Sequence, residues 1–168
     1  MKWGFLNGSP NTKGHTAQLG AYLLTDQEAT TWALVDYHIA QLGQQSAEDD
    51  FLPLITQVAA CDALLIGTPV YWSDMTGLLK TFLDRCTLIA NHFDLQGMPT
   101  YVVISGTQTP ATTAPGIPVA IAQLATFLKL EYRESAFVDT SIVKRRVDFP
   151  SVLAATQHRM RLEATTHD

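Results

Sequence analysis

The sequence predicts an α/β domain: a five-stranded parallel sheet with helices on both faces. Three observations carry this expectation. Short apolar runs alternate with longer segments of helical period along the chain, which implies parallel pairing through crossover helices. One run, Ala63-Leu64-Leu65-Ile66, is apolar at both parities, the pattern of a central strand covered on both sides. The length of 168 residues with 46% hydrophobic content suits one ordinary domain, so residues 1–168 are read as a single unit that needs no disulfide or structural metal to fold.

The first strand ends in the turn-forming stretch Asn7-Gly8-Ser9-Pro10. A helix is expected to begin after Gly14 and to run through Leu19, Leu23 and Leu24, with a second short strand over Trp32–Val35. Tyr37 to Asp50 is polar and reads as irregular, and a helix from Phe51 to Ala60 precedes the buried strand Ala63–Ile66. The clearest helix places Met75, Leu78, Leu79, Phe82, Leu83 and Cys86 on one apolar face, with Asp74 and Thr76 at its start. Tyr101–Ile104 is a further strand, followed by a Thr/Pro/Gly-rich loop from Ser105 to Pro118. Helical spacing then appears at Ile121, Leu124, Ala125 and Leu128, a last strand around Ser135–Val138, and a final helix over Ser151–Glu163. No internal repeat is present.

Composition excludes several functions. The net charge of -5 without a long basic run argues against a nucleic-acid or anionic-membrane binder. No uninterrupted apolar run reaches the ~18 residues of a membrane span, and the opening apolar stretch is too short for a signal-peptide core. Cys61 and Cys86 lie far apart without a CxxC, so a zinc site, an iron–sulfur cluster and a disulfide framework are not expected, and a reduced, cytoplasmic setting is. Charged residues reach only 16% against a typical ~25%, so either some surface is hidden in an oligomer or abundant Thr and Gln keep a monomer soluble.

Ligands of such sheets sit beyond the carboxyl ends of the strands, which directs attention to the loops Gly8–Thr16, Gly67–Asp74 and Ser105–Pro118. The first, GSPNTKGHT, combines a helix start with Ser9, His15 and Thr16 donors, an anion site in outline, although ordinary capping explains the same residues. It is not a P-loop: the second glycine comes one residue late and is followed by His15. The GxGxxG dinucleotide fingerprint is also absent, so Asp36 is not expected to bind a ribose. The second loop sets Pro69, Tyr71 and Trp72 beside a buried strand, where they form either a wall for a flat heteroaromatic ring or a cover for core or interface.

The first loop, followed by GTPVYWSDMTGLLKTFLDR over Gly67–Arg85, resembles the flavodoxin-like NAD(P)H-dependent FMN reductases, a family that includes NAD(P)H:quinone oxidoreductases. The resemblance continues to Ser105-Gly106 and covers most of the chain in order. It implies a flavodoxin-like three-layer sandwich with strand order 2-1-3-4-5 and FMN as cofactor. By the same resemblance, Ser9, Pro10, Lys13, Gly14, His15 and Thr16 hold the FMN phosphate, Pro69, Val70, Tyr71 and Trp72 border the isoalloxazine, and Ser105, Gly106 and Thr107 approach its pyrimidine side. The implied activity passes hydride from NADPH or NADH through FMN to a small acceptor such as a quinone, a nitro or azo compound or free flavin. No catalytic side chain beyond the flavin is implied, and a homodimer or higher homo-oligomer is. A flavodoxin-type electron carrier, or an FMN-binding sensor without turnover, is the alternative.

Two positions depart from the family pattern: Asn11 stands where Arg is frequent, and His15 where Asn is frequent. No cysteine lies between Tyr37 and Asp50, where related iron–sulfur flavoproteins carry their cluster. His38, His92, His158 and His167 are scattered and read as surface or locally bonded. Lys80 and Asp84 read as a surface pair, and Lys144-Arg145-Arg146 as a solvated basic loop rather than a contact for an NADPH phosphate.

Overall fold

The computed structural model describes residues 1–89 and 92–166. Five strands, β1 (Lys2–Asn7), β2 (Glu28–Ala33), β3 (Ala63–Pro69), β4 (Pro99–Gly106) and β5 (Glu131–Asp139), form one parallel sheet in the order β2-β1-β3-β4-β5. The helices are α1 (His15–Leu23), α2 (Phe51–Ala59), α3 (Gly77–Arg85), the single turn α4 (Pro110–Thr113), α5 (Gly116–Leu128) and α6 (Pro150–Thr166). The expected flavodoxin-like topology is therefore the observed one.

Strand parity explains the layers. Ala63 and Leu65 of β3 join Trp3, Phe5, Tyr101 and Val103 under α1 and α6, where Leu19, Leu23, Leu153 and Met160 close the layer. Leu64 and Ile66 point the other way, with Leu6, Val102 and Ile104, onto Leu54, Leu79, Phe82 and Ile121 of α2, α3 and α5. β3 is thus covered on both faces, as its unbroken apolar run requires.

Several boundaries differ from those expected. The second strand runs over Glu28–Ala33, not Trp32–Val35, and Leu34–Asp36 is a 3₁₀ turn. Its edge position leaves β2 largely in solvent, so polar residues fill a strand that an apolar-run search begins too late. The clear helix starts at Gly77 because Thr76 caps it, so Met75 precedes the helix and Cys86 opens a 3₁₀ turn beyond it; both are nonetheless buried. The segment after Ser105 is not a loop as far as Pro118: it contains α4, and α5 begins at Gly116 because proline is tolerated within a first helical turn. β5 is longer than Ser135–Val138, its Glu131–Glu134 stretch carrying charges at the other sheet edge.

Candidate functional site

At the carboxyl ends of β1, β3, β4 and β5 the sheet ladder continues into the loops. Gly8 N–H donates to Gly67 O at 2.7 Å, Val70 N–H to Ser105 O at 2.7 Å, and Thr140 N–H to Gly106 O at 2.7 Å. The loop starts are therefore fixed to one another by backbone bonds. Between them lies a cleft of about 360 Å³, within the range of small-molecule sites.

The first wall is a chain of short turns. Ser9 N–H donates to Asn7 Oδ1, Asn11 N–H to Ser9 Oγ and Lys13 N–H to Asn11 Oδ1, each at 3.1 Å, so each polar side chain holds the amide two residues on. This winding delivers the chain to α1 at Gly14, where a Cβ would meet the Asn11 side chain at 3.2 Å. No side chain caps α1, and its first turn holds no acidic residue. The amides of His15, Thr16 and Ala17 thus meet no side-chain acceptor from the cap, and the helix dipole faces no carboxylate there.

Thr16 is buried, and its Oγ1 lies 2.8 Å from Ser105 Oγ, also buried, which joins the first wall to the third. The second wall begins with Pro69 and Val70, then turns back on itself: Tyr71 N–H donates to Asp74 O at 2.9 Å and Asp74 N–H to Tyr71 O at 3.1 Å. Trp72 and Ser73 between them have φ of 51° and 63°, the pattern of a two-residue hairpin turn. Thr76 then fastens α3 to the first wall. Its hydroxyl donates to Gly8 O at 2.6 Å and accepts from Leu79 N–H at 3.2 Å, while its own amide donates to Thr68 Oγ1 at 3.3 Å.

The third wall consists of Ser105, Gly106 and Thr107 with Thr140 from beyond β5. A Cβ on Gly106 would meet Val70 Cβ at 3.0 Å, so glycine lets the second and third walls approach. Gln108 and Thr109 follow at positive φ, 60° and 55°. The Asp139 carboxylate sits beside them, held below the usual carboxylate range first by the Ser141 hydroxyl and then by the Thr109 and Ser141 amides.

The cleft brings together Ser9, Gly14, His15 and Thr16 of the first loop, Pro69, Val70 and Tyr71 of the second, and Ser105, Gly106 and Thr107 of the third. Pro10 and Lys13 are exposed and stand outside its lining, and Trp72 is fully exposed at the hairpin tip rather than in the wall. Asn11 lines it as well, at one of the two positions that depart from the family pattern. Thr140 was not foreseen; its only signal is a position just past the carboxyl end of the last strand.

The remaining candidates fall elsewhere. His38 Nε2 pairs with Ser46 Oγ at 3.1 Å, His92 and His158 are exposed, and His167 lies outside the described residues. Lys80 and Asp84 form a surface pair at 2.5 Å, and Lys144, Arg145 and Arg146 are exposed, with Arg145 3.7 Å from Asp148. Cys61 and Cys86 are free and buried. Among the described residues no group of three or more His, Cys, Asp and Glu is placed to hold a metal, and no helix is long and apolar enough to cross a membrane. A groove of about 450 Å³ at the far end of the sheet, between β5 and α6, is crossed by ion pairs of Arg133 with Glu163 and Arg159 with Glu134.

Known proteins resemble this chain in sequence and in fold. A putative NAD(P)H-dependent FMN-containing oxidoreductase of Bacillus subtilis is 32% identical over 93 residues, 51% of each chain. An iron–sulfur flavoprotein of Archaeoglobus fulgidus is 33% identical over 98 residues, 51% of this chain and 48% of the relative. The chain thus spans about half the length of the curated relatives it matches. The solved structure of an NADH:FMN oxidoreductase superposes with a TM-score of 0.73 at 22% identity, covering 96% of this chain and 89% of that one, a likeness of fold. Residues 1–115, which include the first two walls and the β4 part of the third, match the NADPH-dependent FMN reductase family, and the chain belongs to that family.

Proposed function

We propose that this chain is an FMN-dependent NAD(P)H oxidoreductase whose flavin occupies the cleft between the three loops. The observation that carries the reading is the pairing, in one cleft of about 360 Å³, of an uncapped α1 N-terminus with walls of hydroxyls, glycine and proline. Such a donor set fits a phosphate joined to a flat, largely uncharged ring, and the flavin reading requires no paired acid and base. Bound FMN supplies the redox chemistry, taking two electrons from NADPH or NADH and passing them to a small oxidised acceptor.

The protein's part is binding and orientation. The Ser9 and Thr16 hydroxyls, the His15 ring and the first-turn amides of α1 receive the phosphate; when Ser105 donates to Thr16, the Thr16 proton is left for a phosphate oxygen. Pro69, Val70 and Tyr71 border the ring, and the exposed Trp72 stands at the tip of the same loop. Ser105, Gly106 and Thr107 offer donors to the pyrimidine edge, which gains electron density on reduction. Quinones, nitro and azo compounds and free flavin are the proposed acceptors, because an open ring face imposes little on their shape. We also propose self-association, in keeping with a charged fraction of only 16% and exposed Trp72 and Ile142; the mass in solution tests it.

The test is a visible spectrum of the purified chain with added FMN, followed by anaerobic NADPH and then NADH. Bound flavin that bleaches with either donor supports the reading and gives the preference. Bound flavin that does not bleach makes the chain a carrier or sensor, and absence of flavin binding overturns the proposal.

A further inference from the structure

Asp139 ends the last strand, beyond the part of the chain that matches the family, and it has no part in the phosphate loop or the aromatic wall. Its place is decided by pairing. In the parallel ladder Asp139 stands opposite Gly106, so its side chain leaves the sheet edge next to the loop that forms the third wall. One carboxylate oxygen, Oδ2, accepts from Thr109 N–H at 2.9 Å; the other, Oδ1, accepts from Ser141 N–H at 2.9 Å and from Ser141 Oγ at 2.5 Å. The carboxylate therefore bridges two segments that leave the sheet side by side, the one after β4 and the one after β5.

The segment after β4 requires such a tie. Gln108 and Thr109 both sit at positive φ without being glycine, and non-glycine residues keep that conformation only where their surroundings over-determine it. Thr109 N–H is fixed by Asp139, while Thr109 O accepts from the Thr112 and Thr113 amides of the α4 turn, so the carboxylate supplies the tie on the amide side. Thr107 precedes the strained pair and lines the cleft, and Thr140 follows Asp139 and lines it too. Thr140 is itself held by Gly106 O, so the carboxylate adds a second tie, two residues beyond Thr107 on one segment and one residue beyond Thr140 on the other.

We propose that Asp139 is a positioning residue for the cofactor site: by fixing Thr109 and Ser141 it aims the donors of the third wall at the flavin's pyrimidine edge, and so tunes flavin affinity and potential without touching the reacting atoms. This inference rests on the FMN reading above. It concerns residues that lie outside both sequence motifs, and an acidic group that contributes through geometry rather than as a proton donor. Asparagine is the informative replacement. It keeps the size of the side chain and one acceptor, yet it turns the other oxygen into a donor that faces an N–H, so only one of the two segments stays tied.

The experiment compares wild type, Asp139→Asn and Ser141→Ala for FMN dissociation constant, flavin midpoint potential and thermal midpoint of the apoprotein. Asp139→Asn is expected to raise the dissociation constant roughly tenfold and to make the potential more negative, because donors to the reduced ring are misplaced, while the apoprotein stays folded. Ser141→Ala removes one donor to Asp139 and leaves Thr109 tied, so it should show a smaller change of the same sign. Unchanged affinity and potential in Asp139→Asn overturn the inference, as does a drop in apoprotein stability with a normal potential, which makes Asp139 a fold residue alone. If wild type itself binds no FMN, it is the functional reading that has failed.

Discussion

Thr16 at the start of α1 and Ser105 at the end of β4 share a hydrogen bond of 2.8 Å although 89 residues separate them, and both side chains are buried. The pair couples the first wall of the cleft to the third. Replacing Thr16 by Val keeps the shape, removes the hydroxyl and leaves Ser105 Oγ without this partner. We expect the FMN dissociation constant to rise about tenfold while the far-ultraviolet circular dichroism is unchanged. A fluorescence titration of FMN measures it; an unchanged constant would count against the phosphate assignment.

Gly20 lies inside α1, where alanine ordinarily stabilises by about 1 kcal/mol. Here the sign reverses, because a Cβ would come within 2.2 Å of Phe5 Cζ and 2.3 Å of Cε1, and the buried Phe5 ring must shift from its packed position to admit it. Gly20→Ala should destabilise the fold by about 2 kcal/mol, a fall in Tm of about 6 °C by calorimetry.

Arg85 closes α3 by reaching across to the irregular segment before α2. Its Nη1 donates to Ala40 O at 2.8 Å and pairs with Asp49, and its guanidinium lies 4.7 Å above the Phe51 ring. Burial pushes the Asp49 carboxyl upward, but the Arg85 hydrogen bond, the Phe51 amide and the Arg85 charge outweigh it and hold the net value below the ordinary one. A lowered folded value means stability that is present above the unfolded value near ~4 and is lost as pH falls through the folded one. Urea midpoints measured from pH 6 down to pH 3 should therefore fall less steeply for Asp49→Asn than for wild type. Arg85→Ala should cost about 2 kcal/mol at pH 7.

Trp72 is fully exposed at φ 51°, whereas Trp3 and Trp32 are buried. Trp72→Gly places at that φ the residue that adopts it without strain, so Tm should hold or rise. The intrinsic emission should shift to the blue, since only the buried indoles remain. A clear fall in Tm would mean that Trp72 packs against something.

How much of this was legible depends on where each residue gets its conformation. β3 and α3 were readable because their apolar patterns follow from burial on two faces and on one. β2 and β5 lie at the two sheet edges, where polar side chains meet solvent or pair with α6, as Arg159 does with Glu134, and so their limits blurred. Loops written in short-range turns, such as Ser9 to Gly14, show in the sequence, since each side chain binds the amide two residues along. Asp139 and Thr140 do not: Asp139 is tied to Thr109, 30 residues away, and Thr140 to Gly106, through a strand register that no local pattern encodes. Trp72 belongs to the second loop, but the turn that sets it outside the cleft's lining depends on two positive φ values at non-glycine residues, which no local pattern announces.

The dispersal of the cleft's walls along the chain sets when a ligand can act during biosynthesis. Ser9 and Thr16 emerge first, Pro69 and Val70 midway, Ser105 and Gly106 later, and Thr140 only when β5 is complete. A nascent chain lacking β5 presents the first loop without the closing wall, so on the proposed reading FMN gains its full hold only once β5 has paired. On the proposed reading the cofactor stabilises the finished sheet more than any precursor, so added FMN should lengthen the life of a completed chain more than it speeds assembly.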